Sequence, residues 1–402
     1  MIVPGFSAAG LAAGVKKQGG LDLALIHAVE PATAAGVFTT NRVKAAPVLL
    51  CRARLRRGAA QAILINSGNA NACTGPQGKQ DARDLTREAA RLLAIPEAAV
   101  LPASTGVIGQ PLPASRIKAA LPDLVARLRP EGLPEMAEAI MTTDTRPKTA
   151  FIRETLWGRQ VTLAGVAKGA GMIHPDMATL LSFVFTDAAI SAPVLKKLLV
   201  QAVYRSFNRI SIDGDTSTND TVLLLAGGRA GHQPVTDLAQ AAPWGELLGQ
   251  LMGELAQQIV ADGEGASRVY RVVVQGAAAA LEARKAAATV ATSPLVKTAM
   301  AGADVNWGRI MAALGRSGPG LSPSPLICRP EIFRTFTTPV ISPRTTSALM
   351  PATAVETDGG EVDTMSTPEN PVRLSLLLYK FTLSSRGHEL ARLAFIRGPR
   401  LP

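Results

Sequence analysis

The chain has 402 residues, a formal net charge of +11, 47% apolar and 4% aromatic residues. These values fit an α/β protein of one large or two ordinary domains. No apolar stretch approaches the ~20 residues that span a bilayer, and Met1–Gly20 lacks the basic and apolar regions of a signal peptide, so a cytoplasmic protein is expected. Cys51, Cys73 and Cys328 are too few and too widely spaced for a disulfide framework or a zinc ribbon, and His27, His174, His232 and His388 form no metal-ligating pair, so no metal is expected.

Taken in order, Leu21–Val29 and Ala62–Ile65 read as strands between glycine and proline punctuation. The Asn66–Gly75 run, rich in Asn, Ser and Gly, breaks that pattern. Asp81–Ile95 carries Leu85, Ala89, Leu92 and Leu93 at helical spacing with Pro96 beyond its end. Ser104-Thr105-Gly106 follows Val100 and Leu101 and reads as a strand-to-helix turn. Pro134–Met141 predicts a short helix and Phe151–Ala167 a strand-rich patch. Arg52, Arg54, Arg56 and Arg57 form a basic cluster without interleaved aromatics, the pattern of a solvated face rather than of a nucleic-acid site.

Lys168–Thr179 is a glycine-rich approach containing Gly169, Gly171 and the stiffening Pro175, and it leads into Leu180–Phe185, read as a buried strand with Thr179 first in it. Ser191 and Pro193 start a helix through Val203. In Asn208–Thr221, acidic and amide residues alternate as in a calcium loop, but the bidentate Glu of such a loop is missing. Trp244–Val260 predicts an amphipathic helix stopped by Asp262-Gly263, Tyr270–Val274 a strand, and Ala277–Thr289 and Ser293–Met300 two more helices.

The Lys168–Thr179 segment resembles the processing site of the ornithine acetyltransferase family, also called bifunctional glutamate N-acetyltransferase, in which the chain cuts itself between Ala and Thr. Lys168, Gly169, Gly171, Met172, Ile173, Pro175, Met177, Ala178 and Thr179 fall on that family's pattern. Val37–Asn41, Asn66–Gly75, Thr142–Lys148, Asn208–Thr221 and Asp304–Ile310 match as well. The chemistry is coherent. Threonine is a weak nucleophile, whereas an N-terminal threonine carries its own base in an α-amine of pKa about 7.7 to 8.0.

The resemblance implies a layered α/β fold (α+β type) of the kind seen in N-terminal nucleophile aminopeptidases. It also implies cleavage at Ala178–Thr179 into chains of 1–178 and 179–402 that stay associated as an α2β2 heterotetramer. It implies an acetyl-threonine intermediate on Thr179, which takes acetyl from N2-acetyl-L-ornithine and passes it to L-glutamate in arginine biosynthesis. Thr105 and Gly106 would form the oxyanion hole. Lys168 would bind substrate or lower the amine pKa, and Glu264 would bind the substrate amino group. Among Thr142, Thr143 and Thr145, spacing favours Thr145 as a substrate contact. No cofactor is implied, and acetyl-CoA stays open as a second donor. Small-molecule substrates are the expected partners, with neither nucleic acid nor membrane. The alternatives are an aminopeptidase or amidase of the same architecture, which passes the acyl group to water, a charge-driven nucleic-acid binder, and a remnant that processes without catalysing.

The resemblance runs from residue 1 to about Gly318, so that 179–318 is the matching part of the second chain. Residues 321–402 hold 10 of the 28 prolines and a single convincing apolar run, Val372–Leu383. This is the composition expected if a reading-frame shift had replaced the ending, and residues 319–402 are expected to be a divergent, poorly folded tail.

Overall fold

The structure, a computed structural model, describes residues 1–174, 180–266, 268–275, 277, 279–304 and 306–318, and the backbone of 335–337, 373–380 and 396–397. Pro175–Thr179 and most of 319–402 therefore lie outside the described residues, and with them the expected cleavage site and the expectation for the tail. Residues up to Ala266 form one compact unit, and the elements from Arg268 onward belong to a second.

The first unit is built from β1 (Phe6–Leu11), β2 (Leu23–Phe38), α1 (Ala46–Arg54), β3 (Ala59–Asn69), α2 (Gly75–Leu93), β4 (Val100–Val107), α3 (Ala114–Ala126), α4 (Leu133–Ala139), β5 (Lys148–Leu156), β6 (Arg159–Lys168), β7 (Leu181–Thr186), α5 (Ala192–Arg205), β8 (Thr221–Ala226) and α6 (Leu238–Ala261). Its strands make one mixed sheet in the order β4-β3-β2-β8-β7-β6-β5, with β1 paired to β2. β2, 16 residues long, joins the two halves by pairing with β3 and β8, and its register against β3 shifts between His27 and Ala32. Pro31 lies in that irregular, exposed stretch, where a residue without an N–H removes no ladder bond.

Apart from the largely exposed edge strand β5, the strands of this sheet bury both faces. Alternate residues of β2 feed two cores: Ala24, Ile26 and Ala28 join Met136, Phe183 and Leu223, while Leu23 and Leu25 join Leu64, Leu85, Ile117 and Leu121. β7 and β8 are buried along their whole length and pair in parallel, which accounts for their mainly apolar sequences. α6 lies over β5 and β6, close enough that a methyl on Gly165 would approach Leu251 to 2.7 Å. This is the expected layered α/β architecture.

Several boundaries differ from expectation for physical reasons. β5 and β6 form a hairpin across Trp157 and Gly158, which both take positive φ, as a two-residue turn of the type matching strand twist requires. α6 begins at Leu238 rather than Trp244, because Asp237 caps it by accepting from the N–H groups of Ala239 and Gln240. Arg52, Arg56 and Arg57 are exposed as expected, but Arg54 turns inward, donating to the Val100 carbonyl at 2.6 Å and pairing with Glu97 at 2.7 Å.

The second unit contains β9 (Arg268–Gln275), α7 (Ala280–Thr292), α8 (Pro294–Ala301), α9 (Trp307–Leu314), β10 (Thr335–Thr337), β11 (Arg373–Lys380) and β12 (Ile396–Arg397). β11 runs antiparallel to β9, and the Tyr270 hydroxyl donates to the Ala291 carbonyl of α7 at 3.0 Å. α7 starts slightly later than expected, and its Ala283, Ala286, Ala287 and Val290 are buried. Among the described residues no helix is long and apolar enough to cross a membrane, and no group of three or more His, Cys, Asp or Glu side chains could hold a metal ion.

Candidate active site

β3 and β4 run parallel and end together, with Ser67 opposite Thr105 and Gly68 opposite Gly106. Gly106 has φ +133°, and a methyl there would stand 2.3 Å from the Gly68 carbonyl carbon, so only glycine permits this approach of two backbones. Asn219 locks the strand ends from the other side, donating to the carbonyls of Ala70 at 2.6 Å and Ser104 at 2.8 Å. Thr105 is thereby held at the rim of a cavity of about 430 Å³, within the size range of small-molecule sites.

β6 delivers Lys168 to the same cavity, where its Nζ donates to Thr105 Oγ1 at 3.2 Å. An ammonium only donates, so this bond leaves the Thr105 hydroxyl proton free to point elsewhere. Burial pushes the Lys168 amine below the usual lysine range and nearby Lys148 adds to that, while Asp144, Asp220 and Glu264 pull the other way. Glu264 reaches the cavity because Gly171 lacks a side chain: a methyl there would sit 2.7 Å from the Glu264 carboxyl carbon. The Glu264 N–H also donates to the Ala170 carbonyl at 2.7 Å, tying the end of α6 to the segment that leaves β6.

The structure thus brings together Thr105, Gly106, Lys168 and Glu264. Thr142 and Thr143 line the cavity, whereas Thr145 does not: its N–H donates to Asp262 at 2.9 Å and its hydroxyl donates to the same carboxylate. Ala178 and Thr179 lie outside the described residues.

Sequence reasoning gave no role to the charged cluster beneath the cavity. Lys148, fully buried, pairs with Asp144 at 2.5 Å and Asp262 at 2.6 Å. Asp144 also accepts from the N–H of Gly169 at 2.7 Å, which fixes the turn after Lys168. Burial alone would raise the Asp144 carboxyl, but the charges of Lys168 and Lys148 outweigh it and hold the group below the usual carboxylate range. The one signal in the sequence was an Asp and a Lys four residues apart in a segment with no helical pattern. Lys16 was also missed. It lines the cavity, held by its Nζ bond to the Leu21 carbonyl at 2.5 Å, and its only sequence cue was a glycine-flanked stretch before the first long strand.

Asp220 is the second buried carboxyl near Lys168. Its Oδ1 accepts from the Leu180 N–H at 3.0 Å, while Oδ2 has no hydrogen-bond partner among the described residues. Burial pushes its pKa well above the usual range, with the Leu180 bond and the Lys168 charge opposing. A carboxyl raised in the folded state adds stability that is complete below its unfolded pKa of about 3.9 and is lost as pH rises through the folded value. Asp220→Asn keeps the acceptor and cannot ionise. Its melting temperature relative to wild type is therefore expected to climb as pH rises above about 4 and to level off past the folded pKa; a pH-independent difference would contradict the burial argument.

What the sheet and its cavity define is an α/β protein with a cavity of small-molecule size. The chain belongs to the ArgJ family, whose model matches residues 7–351. It is 51% identical over 322 residues to the arginine biosynthesis bifunctional protein ArgJ of Symbiobacterium thermophilum, a match covering 79% of this chain and 80% of that protein. The protein of the same name from Geobacter sulfurreducens is 49% identical over 334 residues, covering 83% and 84%. A solved ornithine acetyltransferase from Mycobacterium tuberculosis, complexed with ornithine, is 38% identical with a TM-score of 0.39, covering 44% of this chain and 93% of that one.

Proposed function

We propose that the chain cuts itself before Thr179 and that the freed Thr179 moves acetyl from N2-acetyl-L-ornithine to L-glutamate, as a step of arginine biosynthesis. The observation that carries this reading is the Lys168–Thr105 bond of 3.2 Å beside the tight Gly106 turn, in a cavity that Glu264 also enters. With Lys168 donating to its oxygen, the Thr105 hydroxyl can donate its proton to a carbonyl oxygen that gains charge as Thr179 attacks, and the Gly106 N–H is the second donor. Glu264 supplies the negative charge for a substrate ammonium, and buried Lys168 stands by to favour the free form of the Thr179 amine.

Transfer proceeds in two steps. The Thr179 hydroxyl attacks the acetyl carbonyl, its proton passes through the amine to the departing ornithine nitrogen, and an acetyl ester remains. Glutamate then attacks that ester through its own amine and restores the hydroxyl. Membership of the family supports the acetyl donor and acceptor. Chains 1–178 and 179–402 would stay joined, because β7, the first strand after Thr179, is hydrogen-bonded between β6 and β8 of one sheet. Two copies of each chain would then form the α2β2 assembly, and acetyl-CoA is a second donor to be assayed beside acetylornithine.

The test is to supply purified protein with acetylornithine and glutamate and to quantify N-acetylglutamate against free acetate. The reading expects glutamate to collect acetyl faster than water does; acetate as the dominant product would mark a hydrolase instead. Thr105→Ala is expected to lower kcat by about 10² to 10³, the usual loss for one oxyanion donor, with a smaller change in KM. An unchanged kcat would remove Thr105 from the site.

For residues 319–402 we propose a change of reading frame near codon 319. Its support is the proline-rich composition together with pairwise matches that leave about a fifth of the Symbiobacterium protein unaligned, although the family model itself runs on to residue 351. A gene with the frame restored should encode a protein that transfers acetyl faster than this one; equal rates would contradict the proposal.

A further inference from the structure

The two ends of the segment that carries the cleavage site are held by one loop. On the upstream side the Ile212 N–H donates to the Ile173 carbonyl at 2.7 Å, and the Asp213 carboxylate accepts from the N–H groups of Met172 and, at 2.9 Å, Ile173. His174 Nδ1 lies 3.3 Å from the Ser211 hydroxyl. On the downstream side Asp220 Oδ1 takes the Leu180 N–H at 3.0 Å, and the Thr221 N–H donates to the Leu180 carbonyl at 3.1 Å. Asn219, between these grips, anchors the loop to the Ser104 carbonyl, next to Thr105. A solvated loop with the composition of 211–221 has no need to meet the chain on both sides of one short segment. The calcium-loop pattern is accounted for otherwise, since Asp213 accepts from backbone N–H groups, including that of Asp215 at 3.0 Å.

We propose that the 211–221 loop is a clamp that sets the geometry of self-cleavage, with Asp213 a positioning residue for maturation and not for acetyl transfer. The proposal rests on the self-cleavage reading above. In that reaction the Thr179 oxygen attacks the Ala178 carbonyl carbon, the bond from that carbon to the Thr179 nitrogen breaks, and the hydroxyl proton ends on the nitrogen as a free amine. An ester now joins Ala178 to the Thr179 oxygen. Water adds its hydroxide to the Ala178 carbon, leaving a carboxyl group there, and its proton restores the Thr179 hydroxyl. The first attack requires oxygen and carbon about 3 to 3.5 Å apart, and fixing the chain on both sides of the cleavage site removes most of the arrangements that miss. Once the bond is cut, the chain end that Asp213 holds, beside its bond to Asp215 within the loop, is the released end of the 1–178 chain. Asp220 still holds the residue next to the nucleophile. Loss of the upstream grip therefore affects the first reaction alone.

The experiment follows cleavage of the full-length chain by intact mass after cell-free synthesis, for wild type, Asp213→Asn, Asp213→Ala and Thr179→Ala, with and without hydroxylamine. Asp213→Ala is expected to cleave slower by between about tenfold and a hundredfold, the cost of a small misplacement of reacting groups. Asp213→Asn keeps one acceptor oxygen and should fall between. Hydroxylamine attacks esters, so it should not restore the rate of a variant whose defect precedes the ester. Asp213→Ala molecules that have completed cleavage should be loaded by acetylornithine as fast as wild type. Cleavage of both Asp213 variants at the wild-type rate would overturn the clamp, as would full rescue by hydroxylamine or an equal loss in acetyl loading. Should Asp213→Ala fail to fold, Asp213→Asn decides by the same criteria. An uncut wild-type chain is a different result: it overturns the self-cleavage reading, and the clamp with it.

Discussion

Thr179→Ala is expected to leave a single uncut chain of 402 residues and to abolish acetyl transfer. In the proposed reactions one hydroxyl does two things: it attacks the Ala178 carbonyl during maturation and carries acetyl afterwards. Alanine removes the atom that forms both esters, and no neighbouring oxygen inherits its amine. Loss of a covalent nucleophile commonly lowers kcat by a factor on the order of 10⁴ to 10⁶, which would place the variant at background. Thr179→Ser retains the hydroxyl and should still process, more slowly. Intact mass and an acetylglutamate assay on the three proteins check this, and a Thr179→Ala chain that still cuts would place the nucleophile elsewhere.

The second large effect concerns stability. Lys148 is buried between Asp144 and Asp262, and these carboxylates in turn hold Gly169 and Thr145. Lys148→Met keeps most of the volume but leaves two buried carboxylates without the cation that bridges them, Asp144 keeping only the nearby charge of Lys168. Breaking a buried pair from one side usually costs about 3 to 5 kcal/mol, which corresponds to a fall in melting temperature of roughly 10 °C for a unit of this size. Adding Asp144→Asn and Asp262→Asn should recover much of that loss, because the remaining groups are then neutral. Thermal unfolding of the single and triple variants distinguishes this from simple loss of packing, which the added amides would not repair.

How much was legible follows the kind of signal. The buried strand β7 announces itself as a mainly apolar run, and the main helices show their period, so the α/β class and many elements could be read. α1 and α3 could not, since their Arg, Pro and Ala content masks the period, and the α6 start was hidden by Pro243 while Asp237, its cap, stood unremarked. The order of strands was not readable either. It depends on the irregularity of β2 near Pro31 and on the long crossovers that bring β8 between β2 and β7, and neither leaves a local pattern.

At the site, Thr105, Gly106, Lys168 and Glu264 were found through family motifs and do converge on one cavity. What the sequence concealed is what lies under them. A charged residue is read as solvated by default, so Asp144, Lys148, Asp262 and Asp220 gave no hint of burial, and Thr145 gave no hint that its hydroxyl turns to Asp262.

Cleavage tests the account most directly. Purified full-length protein, measured by intact mass and N-terminal sequencing, should yield two associated chains, one ending at Ala178 and the other beginning at Thr179. Incubation with acetylornithine alone should then add one acetyl group to the second chain and none to the first. A protein that stays whole, or that is cut at another bond and takes up no acetyl, would contradict it.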